Sequence, residues 1–480
     1  MRHSRSAFRA PARRAWWLLA AVCVLLAGAA VPAAERPRYG GTLRLELPSS
    51  FREIHPSATA PDAPDAAGRA AVLPLVFETL VRVDGAGGLE PLLAESWQSD
   101  AQEKQWQFRL RRGVTLHDGS LLTASHVAAA LRQMDAGWTV QETADGVRIE
   151  SQQPLPGLPW DLADERRAIA VPAASALPLG TGPFRVDRWD AGRQLVLAAY
   201  DGYRAGRPFV DAVQIDTTRA SRDEVMDLEV GRADMISVAV PNARRVSDRG
   251  LRIVATPPRE LLALVFDPRR PGGGNEALRR ALARAVDRTA ICSVLLQRRA
   301  EPAGALLPRW LSGYGGLFSP RDDRAAARAI VASLPPGARA LSIGFPAADA
   351  LAQAVADRVA VDGRDAGLSI TVAAARTPTL GGPDAHLVHT LLAVTTPERA
   401  LALLVPTLGV SGDATPAAGA PLDAVYRFEQ SLLDRDVVVP IVHLPQLYGL
   451  SARVDTANGP LVRPSGALNL ADAWLRTEKR

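Results

Sequence analysis

Residues 341–345 and 368–372 are short apolar runs on either side of a helical stretch, 350–366. A strand, a crossover helix and a second strand make a βαβ unit, normally parallel and right-handed. Parallel strands need helices over their faces, so this feature directs the chain towards α/β architectures. Other stretches agree with it. Leu43, Leu45 and Leu47 alternate with Arg44 and Glu46, and Trp106, Phe108 and Leu110 alternate with Gln105, Gln107 and Arg109. Both patterns predict half-buried strands. The run 261–266, bounded by Pro258 and Pro268, and the run 437–444 read as buried strands. Residues 184–186 and 195–197 flank Asp190-Ala191-Gly192 as a hairpin would. Thr123 is placed to cap a helix through Met134, and Gly231 to end one over 222–231. From Glu276 onward Leu278, Leu282, Ala285 and Val286 share one helical face, and Asp287 can cap a second helix through Leu296. Residues 73–83 begin as helix and end in a turn at Asp84-Gly85; 55–68 reads as loop, and the proline-rich 154–178 as loop with short strands.

The first residues carry a different message. Five arginines and no acid precede residue 15, an apolar run covers 16–30, and Val31-Pro32-Ala33-Ala34 follows. That order is a secretory signal peptide, and its apolar core is too short to span a bilayer. The residues after Arg13-Arg14 fit the twin-arginine motif poorly, and Cys23 follows Val22 rather than the small residue of a lipobox. Once residues 1–34 are removed, 51 basic residues face 51 acidic ones. The mature chain is therefore near neutral, with no basic stripe for nucleic acid. Only Cys292 remains after cleavage, so no disulfide forms within the mature chain, which is long enough for two or three lobes.

Chemistry-bearing motifs are few. The sequence holds no G-x-S-x-G, no H-E-x-x-H and no Cys–His arrangement. His386 and His389 form an H-x-x-H pair, but residues three apart on a strand face opposite sides and cannot share an ion. Gly272-Gly273-Gly274 lacks the Lys-Ser/Thr of a phosphate loop and reads as a flexible loop. Cys292 lies on an apolar helix face and reads as a core residue. No cofactor or metal is expected, and no catalytic residue.

Several stretches in order resemble the family 5 extracellular solute-binding proteins of ABC transporters, the dipeptide, oligopeptide and nickel binders. They are Gly40-Gly41-Thr42-Leu43-Arg44-Leu45, Phe77-Glu78-Thr79-Leu80, residues 89–97, the block 108–119 with Leu122-Thr123-Ala124, Gly180-Thr181-Gly182-Pro183-Phe184, Gly231-Arg232-Ala233-Asp234, and Arg279-Arg280-Ala281-Leu282 leading to Asp287. The resemblance implies a two-lobed periplasmic binding protein of type II-like form, with mixed sheets flanked by helices. It places an N-terminal lobe over 35–265, a distal lobe over 266–438 and a return segment over 439–480, with hinge crossings near Phe266 and Val438. The short segment between Met134 and Gly180 implies a reduced accessory subdomain. The implied function is capture of a peptide-like or other small organic ligand between the lobes, as a monomer, and delivery to an inner-membrane permease. A ligand sensor or interaction module and a nickel binder are the alternatives. Positions lining the cleft in relatives suggest Glu78, Asp267 and Asp384 as ligand anchors or lobe–lobe salt bridges. Phe77, Phe266 and His386 complete the candidates, with Trp310 and Phe345 as stacking or core aromatics. His126 stands where the family usually has an acid and is expected to be neutral and structural. Residues 384–397 depart further: peptide binders carry a tryptophan and an aspartate that pairs with the peptide amino group, and neither is present here. Ordinary peptide capture loses its usual anchor.

Overall fold

The computed structural model describes residues 36–476 apart from 50, 57–64, 85–87, 174–176, 220, 376–381, 393–395 and 411–413. The signal peptide expected over 1–34 lies outside the described residues.

The first lobe opens with strand β1 (Thr42–Glu46) and helix α1 (Ala66–Val76), then a small pair, β2 (Val81–Val83) and β3 (Leu89–Pro91). An accessory unit follows: β4 (Ala94–Ser99), β5 (Gln105–Leu110), α2 (Ala124–Met134), β6 (Trp138–Thr143), β7 (Gly146–Ser151) and the short α3 (Leu158–Asp161). Its four-stranded sheet runs β4-β5-β7-β6. Phe108, Val127, Leu131 and Ile149 pack into one core beneath α2. The predicted cap is present: the Thr123 hydroxyl accepts from the His126 amide, and His126 Nδ1 accepts from the Thr123 amide, each at 3.3 Å.

The chain then returns through β8 (Phe184–Asp190), β9 (Gln194–Ala199), β10 (Ala212–Asp216), α4 (Ser221–Glu229), β11 (Met235–Val238) and β12 (Arg252–Ala255). In the second lobe come β13 (Glu260–Phe266), α5 (Glu276–Ala285), β14 (Glu301–Pro302), β15 (Ala340–Pro346), α6 (Ala350–Asp365), β16 (Ser369–Ala375), β17 (Ala385–Leu391), α7 (Pro397–Thr407), α8 (Leu422–Asp434) and β18 (Val438–Leu444). Strand β19 (Leu447–Leu450) rejoins the first sheet, whose order is β12-β19-β11-β1-β10-β9-β8. The second sheet runs β14-β18-β13-β17-β15-β16. Both are mixed. The βαβ unit is real, with β15 and β16 parallel from Ala340↔Ser369 to Pro346↔Ala375.

Strand β13 shows how its apolar run is used. Leu262, Leu264 and Phe266 join the core under α5 and α6, whereas Leu261, Ala263 and Val265 join the core under α7 and α8. Period-two alternation thus fills both faces, and each large side chain so buried stabilises the lobe by roughly 1.5–3 kcal/mol.

Three expectations change. Strands β13 and β18 lie wholly in the second sheet, so the crossings fall at residues 256–259 and 445–446. Phe266 and Val438 stand at the opposite end of those strands, roughly 20 Å away at the usual rise per residue. The glycine triplet forms a helical turn, Pro271–Gly274, with Gly272 and Gly273 buried, rather than a flexible loop. Helix α1 starts within the segment read as loop, and residues 81–83 are strand. Cys292 is buried as expected, and burial pushes its thiol up to about 12.

Candidate ligand-binding site

The two crossings lie side by side. The Thr256 amide donates to the Gln446 carbonyl at 3.0 Å and the Arg259 amide to the Leu444 carbonyl at 2.8 Å. The Leu392 amide, just past β17, donates to the Arg259 carbonyl at 2.7 Å. Past the 393–395 segment, Thr396 precedes α7, whose first turn carries Arg399. Arg399 reaches over to the first lobe and pairs with Asp161 at the end of α3. Glu165 follows four residues later and returns electrostatically to Arg259. Leu392 and residues 396–399 of the second lobe and residues 161–165 of the first therefore lie between the crossing at Arg259 and the rim contact at Asp161–Arg399. Gly419 adds to the rim: a Cβ there would lie 3.1 Å from Pro156 Cβ.

The charges of this inter-lobe ring are tuned by burial. Desolvation raises the Asp161 carboxyl to about 6, with Arg399 and Arg167 opposing. Close behind the hinge, His389 Nδ1 lies 2.7 Å from Asp349 and Nε2 3.0 Å from Glu260, the first residue of β13. Burial alone would lower this imidazole, but the two carboxylates override it and hold the pKa at about 10. His389 is thus a cation clamped between β13 and the cap of α6, where Asp349 accepts from the Leu351 and Ala352 amides.

The eight sequence candidates do not form one group. Phe266, Asp267, Asp384 and His386 meet at the pole of the second lobe far from the crossings. There the Asp384 carboxylate accepts from Gly272 N (3.0 Å), Ser342 N (2.8 Å) and Ser342 Oγ (2.6 Å). Burial works against its charge, but these donors hold its pKa below the usual carboxylate range. Asp267 is held low by its neighbour Arg269 at 2.9 and 3.0 Å. Burial lowers His386, against the nearby Asp267. Phe77, Phe266 and Phe345 are buried in the cores. Glu78 is buried in the first lobe, paired with Arg204 (2.9 Å) and Thr181 (3.0 Å). Trp310 alone of the eight is exposed beside a crossing, its indole N–H donating to the Pro258 carbonyl at 2.6 Å.

Sequence reasoning passed over Asp161, Arg259, Glu165 and Arg399. Their signal was faint, since each is one charge among many in polar stretches. Only the position of Arg259 beside Pro258, at the start of an apolar strand, marked it out.

Known proteins match this architecture. The family model for bacterial extracellular solute-binding proteins, family 5 Middle, matches residues 88–143 and 164–388. The peptide transport periplasmic protein SapA of Salmonella typhimurium is 24% identical over 272 residues, 46% of this chain and 49% of SapA. Across the first curated relatives, the chain spans between 24% and 61% of the relative's own length. The oligopeptide-binding protein AppA of Bacillus subtilis, solved with a nonapeptide, superposes with a TM-score of 0.73 at 16% identity, over 92% of this chain and 100% of that one. NikA of Brucella suis, solved with Fe(III)-EDTA, gives 0.75 at 18% identity, over 91% and 100%.

Proposed function

The chain belongs to family 5 of the bacterial extracellular solute-binding proteins, and from that premise we propose that it captures a small organic solute between its two lobes and delivers it to an inner-membrane ABC permease. The solute is peptide-like in the first instance, and the protein does no chemistry on it. One observation carries this reading: two separate sheets are joined by paired crossings at 256–259 and 445–446, share a core cluster from β11 to β13, and touch again at Asp161–Arg399. A double crossing is a hinge, and a guest bridging both lobes favours the closed arrangement by its differential affinity for it. Export to the periplasm is supported by the basic, apolar and small-residue order of residues 1–34. The relatives named above bear on the solute class, with SapA named for peptide transport and AppA solved with a nonapeptide.

The test is mass spectrometry of whatever co-purifies with the mature protein from a native periplasm, followed by X-ray scattering with and without that compound. The expected result is a bound organic solute that contracts the molecule. At a hundredfold excess over Kd it should add about 2.7 kcal/mol to the unfolding free energy. A protein that carries no solute, and neither contracts nor gains stability with peptide mixtures, overturns the proposal.

A further inference from the structure

The first lobe contains a cavity lined by its own residues, which reaches the inter-lobe ring at Ala163 and Glu165. It encloses about 60 Å³ between the α1–β2 segment and residues 463–471 of the C-terminal tail. That is room for roughly five waters, at about 10–15 Å³ of such space each, so it suits a group of a few heavy atoms. Much of the wall is apolar, with Leu75, Leu92 and Leu470 among its residues.

Its polar groups are mostly spent. Glu78 is taken by Arg204 and Thr181. Arg82 is paired with Glu90. Glu165 is hydrogen-bonded to Ser465, and burial raises its carboxyl towards the neutral form. Arg463 is the exception. Its one hydrogen bond is a long 3.4 Å contact to Asn469 Oδ1, and its Nε is screened from solvent with no partner. Burial and the nearby Arg82 both depress this guanidinium. Beside it the Tyr203 hydroxyl, kept protonated by burial with a pKa of about 12, makes only a 3.5 Å contact to Glu78. The unused capacity of the cavity is therefore donor capacity next to an apolar wall.

We propose that this cavity binds a short aliphatic carboxylate, held by Arg463 and the Tyr203 hydroxyl with its alkyl group against the apolar wall. A guanidinium matches the two oxygens of a carboxylate in a fork. A dianion such as phosphate is disfavoured, because Glu78 adjoins the same space and Arg463 is the one guanidinium left unspent among the described residues of the wall. The carboxylate comes either from a free acid or from the end of a longer ligand. Because the pocket lies within one lobe, it fills whether or not the lobes close.

The mature protein titrated with propionate, by calorimetry and by ligand-observed NMR, tests this directly. Saturable one-to-one binding is expected, with no binding of propionamide and no competition from inorganic phosphate. Arg463→Gln should weaken propionate by about tenfold or more, as loss of a charge-assisted pair does. Ala467→Leu, which fills the cavity from its wall and keeps the charge, should abolish binding while the circular dichroism spectrum is unchanged. Competition by an N-acetylated dipeptide but not its amide assigns the pocket to a ligand terminus; no competition assigns it to free acids. Equal binding of propionate and propionamide, unchanged affinity in both variants, or water alone in the cavity of a crystal grown with propionate overturns the proposal. Scattering recorded in the same titration reports lobe closure separately, so failure of the pocket and failure of the hinge reading are distinguishable.

Discussion

Glu224 has both carboxylate oxygens buried without a partner, at the seam between α4 and the first sheet. Glu46 lies beside it at the end of β1 with its own Oε2 unpartnered, and Asp216 and Asp227 add negative charge. Arg219 offsets part of this, 3.1 Å from Asp227 and 4.0 Å from Glu46. Desolvation first, and like charge second, push Glu46 up to about 7 and Glu224 up to about 8. A carboxyl raised in the folded state stabilises fully below its unfolded pKa of about 4.5, and that stability drains as pH rises through the folded value. Urea unfolding should therefore show stability falling between about pH 5 and about pH 9. Glu224→Gln should be near neutral at the lower pH and stabilising by roughly 1–3 kcal/mol at the higher. A variant weaker than the native protein at both values would refute the seam as described. His389 sets a second window. Its folded pKa of about 10 against an ordinary 6.5 means that its contribution is whole below about 6.5 and disappears towards pH 10. His389→Gln leaves Asp349 and Glu260 facing each other. It should cost roughly 1–3 kcal/mol at neutral pH and much less at pH 10, the carboxylates being partly exposed.

At the scale of elements, the glycine triplet shows what a sequence conceals. Three glycines in a row read as flexibility, yet here they let a helical turn close on a carboxylate. A Cβ on Gly272 would lie 2.7 Å from Asp384 Cγ, and one on Gly273 only 2.1 Å from the Asp267 carbonyl oxygen. Gly273→Ala should thus destabilise by roughly 2–3 kcal/mol, since backbone rather than a mobile side chain must give way. Gly337→Ala, with nothing within 4 Å of the added carbon, is the control and should leave the melting temperature nearly unchanged. Equal melting of the two variants would mean that the turn is not clasped as described. Elements carrying a local signal were legible: the Thr123 cap, the 184–197 hairpin, and the βαβ unit with its period switching from two to helical and back. The hairpin of β6 and β7 had such a signal in its Asp145-Gly146 turn and went unassigned. The site was far less legible, because it depends on strand direction. The run 261–266 has a proline just outside each end, so nothing local says which end meets the hinge. Pairing with β17 and β18 decides it, putting Glu260 at the crossing and Phe266 at the pole. Asp267, Asp384 and His386 follow Phe266 to the pole, and Arg259 and His389 emerge beside the hinge.

At the scale of the whole molecule, the lobes meet through a core cluster shared between β11 and β13, through Gln297 on the Pro241 carbonyl and Arg299 on Ser247, and through the rim pair. Asp161 and Arg399 come from different lobes, and their side chains are 16% and 28% exposed. Burial raises the Asp161 carboxyl in spite of its arginine partner, so desolvation costs more than the pairing returns. Such a contact fixes the geometry of closure without driving it. Under the proposed function, a ligand then supplies the energy that drives closure. Reversing one charge makes the rim repulsive. Arg399→Glu sets two carboxylates together in the closed form only, so it should lower the closed population and weaken ligand binding in proportion. The expected loss is about tenfold to a hundredfold in affinity for the co-purified solute, with a larger radius of gyration at the same ligand concentration. Unfolding stability should change little, since the pair lies at a partly exposed rim and the substitution touches none of the core clusters. Asp161→Arg in the Arg399→Glu background restores an opposite-charge pair and should recover most of the affinity. If Arg399→Glu binds as tightly as the native protein, or the double variant recovers nothing, the two residues do not meet when the lobes shut on their guest.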